Sequence, residues 1–239
     1  MDNPFLRTEM MLGREAMERL SRSHVAIFGL GGVGSWCVEA LCRSGIGELT
    51  LIDQDIISES NLNRQAIALH STLGQSKAEA AARRMQDINP HCVIHPMEGR
   101  YEAQCRETFF AQTYDYIVDA IDLVSCKLDL IETAHLRNIP ILSALGTGNK
   151  LDPTRLQVSD ITKTMGCPLA RVVRRELKKR GIPHHKVVFS PEEARTPLDC
   201  GETPPPGRRS IPASVVWVPA SAGLLLAATV VDDLLGMPH

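Results

Sequence analysis

The sequence predicts an α/β fold: a Rossmann-like, doubly wound, mostly parallel sheet with a C-terminal strand-helix extension. Three observations predict it. Short apolar runs alternate with segments of helical period from Val25 to Ser143. A glycine-rich turn, Gly29 to Gly34, stands between the first apolar run and an amphipathic segment. An aspartate, Asp53, closes the second apolar run. Strands that alternate with helices in this way pair in parallel through right-handed crossovers.

Taken in order, the pattern predicts a helix over 8–20 and a strand over 25–28. After the glycine turn come a helix over 35–44, closed by Gly45 and Gly47, and a strand over 49–52. A loop over 54–71 leads to a helix over 76–87, which Asn89-Pro90 stops. A strand over 93–95, a helix over 103–112, a strand over 116–120, a helix over 125–137 and a strand over 140–143 follow. Past Gly148 the character changes. A strand over 156–160, a strongly basic helix over 169–180, a strand over 214–218 and a closing helix over 222–235 are expected. Residues 192–209 are rich in proline, glycine and charge, and read as a mobile loop. The nucleotide-binding core then spans about 5–150 and the extension 151–239, within a single domain with no internal repeat.

Composition narrows the function. Of 239 residues, 44% are hydrophobic, enough for one sizeable core. The formal net charge of −2 excludes a general polyanion binder, so any nucleic-acid surface must be local. The seven cysteines include no Cys-x-x-Cys pair, which argues against a structural zinc site of that spacing. The N-terminal segment has no secretory pattern. Free thiols then suit a reducing cytoplasm. The expected final helix would be about 21 Å long, shorter than the roughly 30 Å hydrocarbon core, which favours a buried helix over a membrane span and leaves peripheral membrane association open.

Gly29, Gly31 and Gly34 fit G-x-G-x-x-G, with Gly32 inside the turn. The motif follows a strand and opens a helix, the context in which backbone amides and the helix N-terminus receive a phosphate. Asp53 lies 19 residues beyond Gly34, where a carboxylate accepts ribose hydroxyls. By itself this pattern allows a nicotinamide oxidoreductase, an adenine-nucleotide enzyme or a scaffold.

Further residues separate these. Asn61-Leu62-Asn63-Arg64-Gln65, Lys77 in the next helix, and Asp122 in the run DAIDLVSCK resemble the adenylating domain shared by ubiquitin-activating enzymes and the molybdopterin and thiamine sulfur-carrier adenylyltransferases. The start FLRTEMMLGREAM is similar too, with Arg7 six residues before Gly13. The resemblance implies a homodimer, ATP and Mg2+. Arg64 and Lys77 would contact phosphates, Asn61 and Gln65 would line the nucleotide, and Asp122 would hold the metal with Asp55 beside it. Arg7 would reach in trans into the partner subunit's site. Charge agrees: ATP carries about four negative charges and a carboxylate nucleophile adds another, so several cations must gather at the α-phosphate.

The basic stretch Arg171, Arg174, Arg175, Lys178, Lys179 and Arg180 is interrupted by one acidic residue, Glu176. Lys186, His184, His185, Arg208 and Arg209 would extend it. It is either a solvated helix face or a phosphate-backbone surface. Aromatic residues are only 4%, which favours structured RNA over stacked single strands. GTGNKLDPTRLQVSDITKT, followed by CPLARVVRRELKKRG, resembles one branch, the bacterial tRNA threonylcarbamoyladenosine dehydratases. That resemblance implies a tRNA substrate, an acyl-adenylate mechanism, and an acceptor pocket shaped by Asn149, Lys150 and Arg155. A cysteine-desulfurase-type or sulfur-carrier partner is a further expectation of the wider family, as is activation of a carrier protein's C-terminus instead of tRNA. Cys200, in the proline-rich loop, is the one candidate reactive thiol.

Overall fold

The apolar runs pair into one seven-stranded sheet in the computed structural model, which describes residues 3–198, 201 and 212–237. In chain order the elements are α1 (Leu6–Leu12), α2 (Arg14–Leu20), β1 (His24–Phe28), α3 (Gly34–Arg43), β2 (Glu48–Asp53), α4 (Lys77–Ile88), β3 (Val93–Glu98), α5 (Arg106–Phe109), β4 (Tyr116–Asp119), α6 (Val124–Leu136), β5 (Ile141–Ala144), β6 (Gln157–Asp160), α7 (Pro168–Lys179), β7 (Lys186–Phe189) and α8 (Trp217–Leu235). The strand order is β3-β2-β1-β4-β5-β7-β6. All neighbours are parallel except β6 with β7.

Each face of the sheet buries its own core, as parallel sheets require. Val25, Ile27, Leu49 and Leu51 point to α3, α4 and α8; Ala26, Phe28, Ile52 and Ile117 point to α6, α7 and the aromatic group Tyr101, Phe109 and Phe110. Helix α3 packs on α8 more extensively than any other pair of helices does. A Cβ at Gly223 would lie 2.4 Å from the Val33 carbonyl oxygen, so only glycine lets the two backbones meet there.

The sequence patterns and the structure differ in four places. The first expected helix is two, broken at Gly13, whose φ of +85° no continuing helix allows. The helix expected over 103–112 shrinks to a 3-10 turn and the one-turn α5. The strand expected over 214–218 does not form: residues 212–215 are irregular and α8 already begins at Trp217. Pro219 sits in the first turn of that helix, where it lacks no needed donor. Finally, β7 arises from KVVF, a run that the basic residues around it disguise.

Helix α8 has 19 residues and enough apolar character to pass as a membrane span by length and composition, yet half of that stretch is buried inside the molecule. Its inward stripe, Val218, Ala222, Leu226, Val230 and Leu234, belongs to the core. Cys200, Arg208 and Arg209 lie outside the described residues, as does most of the proline-rich segment.

Candidate nucleotide site

The order β3-β2-β1-β4-β5 reverses direction between β1 and β4, and the crevice at that switch point is where doubly wound sheets receive ligands. Two loops meet there: the glycine turn after β1 and the Ala120–Leu123 loop after β4. Gly29 has φ +94°, and a Cβ on it would lie 2.7 Å from the Ala120 carbonyl oxygen. A Cβ on Gly34 would lie 1.8 Å from the Gly29 carbonyl oxygen. These two glycines are therefore required by backbone packing. Gly31 differs, because nothing lies within 4 Å of its added Cβ. Its side faces open space that a phosphate can enter, beside the N-terminus of α3 and its amides.

Asp53 ends β2 and holds the turn in place. Its Oδ2 accepts the Leu30 N–H at 2.7 Å and its Oδ1 accepts the Asp55 N–H at 2.8 Å. A carboxylate has about four acceptor positions, so capacity for ribose hydroxyls remains. Lys77, the first residue of α4, is buried, with Nζ 2.8 Å from Asp55 Oδ2 and 3.9 Å from Asp53 Oδ1. Ser76 caps the same helix by accepting the Glu79 N–H.

Arg64 comes from the long β2–α4 connection. Its stem lies against the glycine turn: an added Cβ at Gly32 would meet Cγ at 3.3 Å. Its guanidinium donates to the Ser60 carbonyl at 2.7 Å and to Asn63 Oδ1 at 2.9 Å. Helix α3 hooks this segment twice. Trp36 Nε1 donates to the Arg64 carbonyl at 3.0 Å, and Ser35 Oγ accepts the Ala66 N–H at 3.1 Å. Asn61 is buried and its Oδ1 accepts the Ser58 N–H, which shapes the 3-10 turn over 59–61. Gln65 is buried with Oε1 lacking a hydrogen-bond partner.

The β4–α6 loop carries Asp122, exposed at its tip. Its base contains a pair that motif reading passed over. Lys127 Nζ lies 2.6 Å from Asp119 Oδ2, with both side chains fully buried, and also donates to the Ala144 carbonyl at 3.1 Å. Asp119 Oδ1 accepts the Ile121 N–H at 3.0 Å. The signal was present in DAIDLVSCK: an aspartate ending a buried strand and a lysine eight residues on, on the buried side of the next helix.

Thus Gly29, Gly31, Gly32, Gly34, Asp53, Asp55, Arg64 and Lys77 are brought together around one crevice. Arg7 is not part of that group within one chain; it is exposed on α1, beside α2. Asn149 and Lys150 serve the chain itself. Asn149, at φ +62°, exchanges hydrogen bonds with Ala213 through its N–H (2.8 Å) and Oδ1 (2.7 Å). Lys150 is buried and donates to the Ser190 carbonyl at 2.6 Å, and burial pushes its ammonium below the ordinary lysine value. Arg155 is exposed in the 3-10 turn over 153–155.

The basic helix divides. Arg174 turns inward and donates to the Thr164 carbonyl at 2.8 Å and to Thr164 Oγ1 at 2.7 Å. Arg175 and Lys179 share Glu176, and Arg180 pairs with Glu132. Arg171 and Lys178 are exposed. Lys186 does not extend this surface. It starts β7 and holds Asp233 at 2.6 Å. His185 is also removed from it, buried with Nε2 2.7 Å from Ser143 Oγ.

A doubly wound sheet with this glycine turn, acidic strand end and pair of cations defines a Rossmann-like nucleotide-binding protein. The chain belongs to the ThiF family, whose model matches residues 6–238. The tRNA threonylcarbamoyladenosine dehydratase of Bacillus subtilis is 41% identical over 239 residues, which span 97% of this chain and 94% of the relative. Solved structures of the E. coli tRNA N6-threonylcarbamoyladenosine dehydratase, one with AMP and one with ATP, superpose with TM-scores of 0.89 and 0.88. Each is 32% identical and covers 98% of this chain and 94% of its own. The E. coli molybdopterin-synthase adenylyltransferase is more distant, 34% identical over 129 residues and 54% of this chain.

Proposed function

We propose that the chain uses ATP to activate the carboxylate of a threonylcarbamoyl group on a tRNA adenosine beside the anticodon, and that ring closure then expels AMP with net loss of one water. The observation that carries this reading is the crevice itself, where the open flank of Gly31 faces the α3 N-terminus with Arg64 and Lys77 gathered around the same turn. The full-length likeness to the dehydratases supports the choice of substrate.

The chemistry follows from the groups. A carboxylate cannot readily expel hydroxide at neutral pH. A carboxylate oxygen therefore attacks the α-phosphorus, the bond to the bridging β-oxygen breaks, and pyrophosphate leaves. The carbamoyl nitrogen or oxygen of the same modified base next attacks the acyl carbon, loses its proton and releases AMP. Attack within one molecule reaches effective molarities of about 10⁵ M or more, so no protein nucleophile is needed. Arg64 and Lys77 offset the charge on the phosphates. Lys77 is now paired to Asp55, and ATP competes for that ammonium. The amides of the glycine turn orient the phosphates, and Asp53 takes the ribose.

Magnesium needs oxygen donors. The exposed carboxylates Asp122 and Asp55 fit it, and bound there it would neutralise phosphate charge. Helix α1 has no buried residue and exposes Met10 (79%) and Met11 (84%), an apolar face suited to a second copy of this chain. A homodimer through that face would bring Arg7 to the partner's nucleotide. Arg171 and Lys178 on α7 would meet tRNA phosphates, and Arg155, Asn149 and Lys150 would border the acceptor. The free thiols among the described residues, all but Cys105 buried, suit a reducing cytoplasm.

The deciding experiment combines the purified chain, ATP, Mg2+ and tRNA carrying threonylcarbamoyladenosine. Nucleoside mass spectrometry should show the loss of one water, and pyrophosphate release should depend on that tRNA. Release stimulated by a carrier protein and not by tRNA would select the carrier-activating reading instead.

A further inference from the structure

At the opposite end of the sheet from the glycine turn, three strands place polar side chains on one face where parallel strands are ordinarily apolar. His24 opens β1, Glu48 opens β2 in register with it, and His95 lies in β3 in register with Thr50. His95 Nε2 is 2.7 Å from Glu48 Oε1, and His24 Nδ1 is 3.6 Å from the same oxygen. Among the described residues this is the group of imidazole and carboxylate donors whose ligand atoms all converge within 4.8 Å. It plays no part in the nucleotide chemistry.

We propose that His24, Glu48 and His95 form a binding site for a first-row divalent metal ion of the zinc class. Two imidazole nitrogens and one carboxylate oxygen are the donors such an ion prefers, and a tetrahedral ion with bonds near 2.0–2.1 Å separates its ligands by about 3.3 Å. The observed separations of 2.7 and 3.6 Å bracket that value, so the ion enters with a small opening of the His95–Glu48 contact. The orientation of His24 is already fixed by a second shell. Thr50 Oγ1 lies 2.8 Å from His24 Nε2 and donates to Gln112 Oε1 at 3.3 Å. With Nε2 held there, Nδ1 is the ring atom turned toward the Glu48 carboxylate, and an outer hydrogen bond of this kind is the usual support of a metal-bound imidazole. Glu48 and His95 are half-exposed, so the fourth position opens to solvent and gives the ion its way in.

The test uses the full chain, stripped with chelator and then titrated with Zn2+ alone by calorimetry and with Co2+ alone by visible absorption. One equivalent of Zn2+ per chain and a four-coordinate Co2+ spectrum are expected. His95→Ala and the near-isosteric Glu48→Gln should each abolish the Co2+ spectrum, and Thr50→Val should weaken Zn2+ by about tenfold through His24. Both ligand variants should keep their far-UV circular dichroism and their ATP binding, because the site is remote from the glycine turn. Uptake well below one equivalent by the unaltered chain overturns the proposal, and so does an unchanged Co2+ spectrum in folded Glu48→Gln.

Discussion

Lys127 and Asp119 face each other at 2.6 Å with no solvent on either side, and the loop that carries Asp122 springs from this pair. Removing one member of a buried ion pair leaves an unmatched charge and costs about 3–5 kcal/mol. Lys127→Met should therefore lower urea-unfolding stability by that amount and weaken ATP binding, because Asp119 also holds the Ile121 amide. Replacing both partners with apolar residues should restore most of the stability without restoring nucleotide affinity. Equal losses in the single and double variants would show that the pair does not act as a unit.

Gly31 and Gly34 should respond differently to alanine. At Gly34 the added methyl collides with the Gly29 carbonyl, so the apo protein should lose about 3 kcal/mol or more. At Gly31 the methyl meets nothing, and apo stability should change by under about 0.5 kcal/mol. ATP affinity should still fall about tenfold in Gly31→Ala, about 1.4 kcal/mol, if a phosphate occupies that flank. Calorimetric titration with ATP checks this, and unchanged affinity would move the phosphates elsewhere.

Arg174 and its neighbours on α7 should separate by role. Arg171→Glu with Lys178→Glu should weaken tRNA binding across sequences and lower the salt slope by about 2, with the melting temperature unchanged. Arg174→Ala should instead destabilise the fold, since it satisfies Thr164. Filter binding over a salt series, paired with thermal melts, measures both.

Acid should destabilise the protein before its carboxylates titrate. Burial lowers the His185 pKa to about 3 and shifts His135 and His24 in the same direction. The unfolded chain accepts a proton on His185 below about pH 6.5 that the folded chain refuses. This contribution is complete above that pH and falls by up to about 1.4 kcal/mol per pH unit as pH drops toward 3. Urea midpoints between pH 7.5 and 5 should show this slope, and His185→Gln should reduce it without removing it.

Asp122 and Arg7 provide a test of shared sites. Asp122→Ala should abolish pyrophosphate exchange while sparing the fold, and Arg7→Ala should do the same if it serves a neighbouring subunit. Mixing the two inactive proteins should recover part of the activity. No recovery would place Arg7 outside catalysis.

The strands, the crossovers and the turn that make the nucleotide crevice were legible along the chain. A Gly29–Gly34 run after a strand and an aspartate ending the next strand are local patterns, and local backbone sterics enforce them. The sequence also supplied Arg64 and Lys77, which the fold brings to the same turn. Features that depend on partners far apart in the chain emerged with the packing. Lys186 looked like part of a basic surface until Asp233, 47 residues away, took its charge. KVVF became a strand because β5 and β6 had open edges for it. Asp119 and Lys127 became a buried pair because the strand and α6 pack together, and His24, Glu48 and His95 met because parallel register aligns three separate strands. Periodicity records what each residue prefers along the chain, whereas a contact between distant residues exists only once the sheet has set their register.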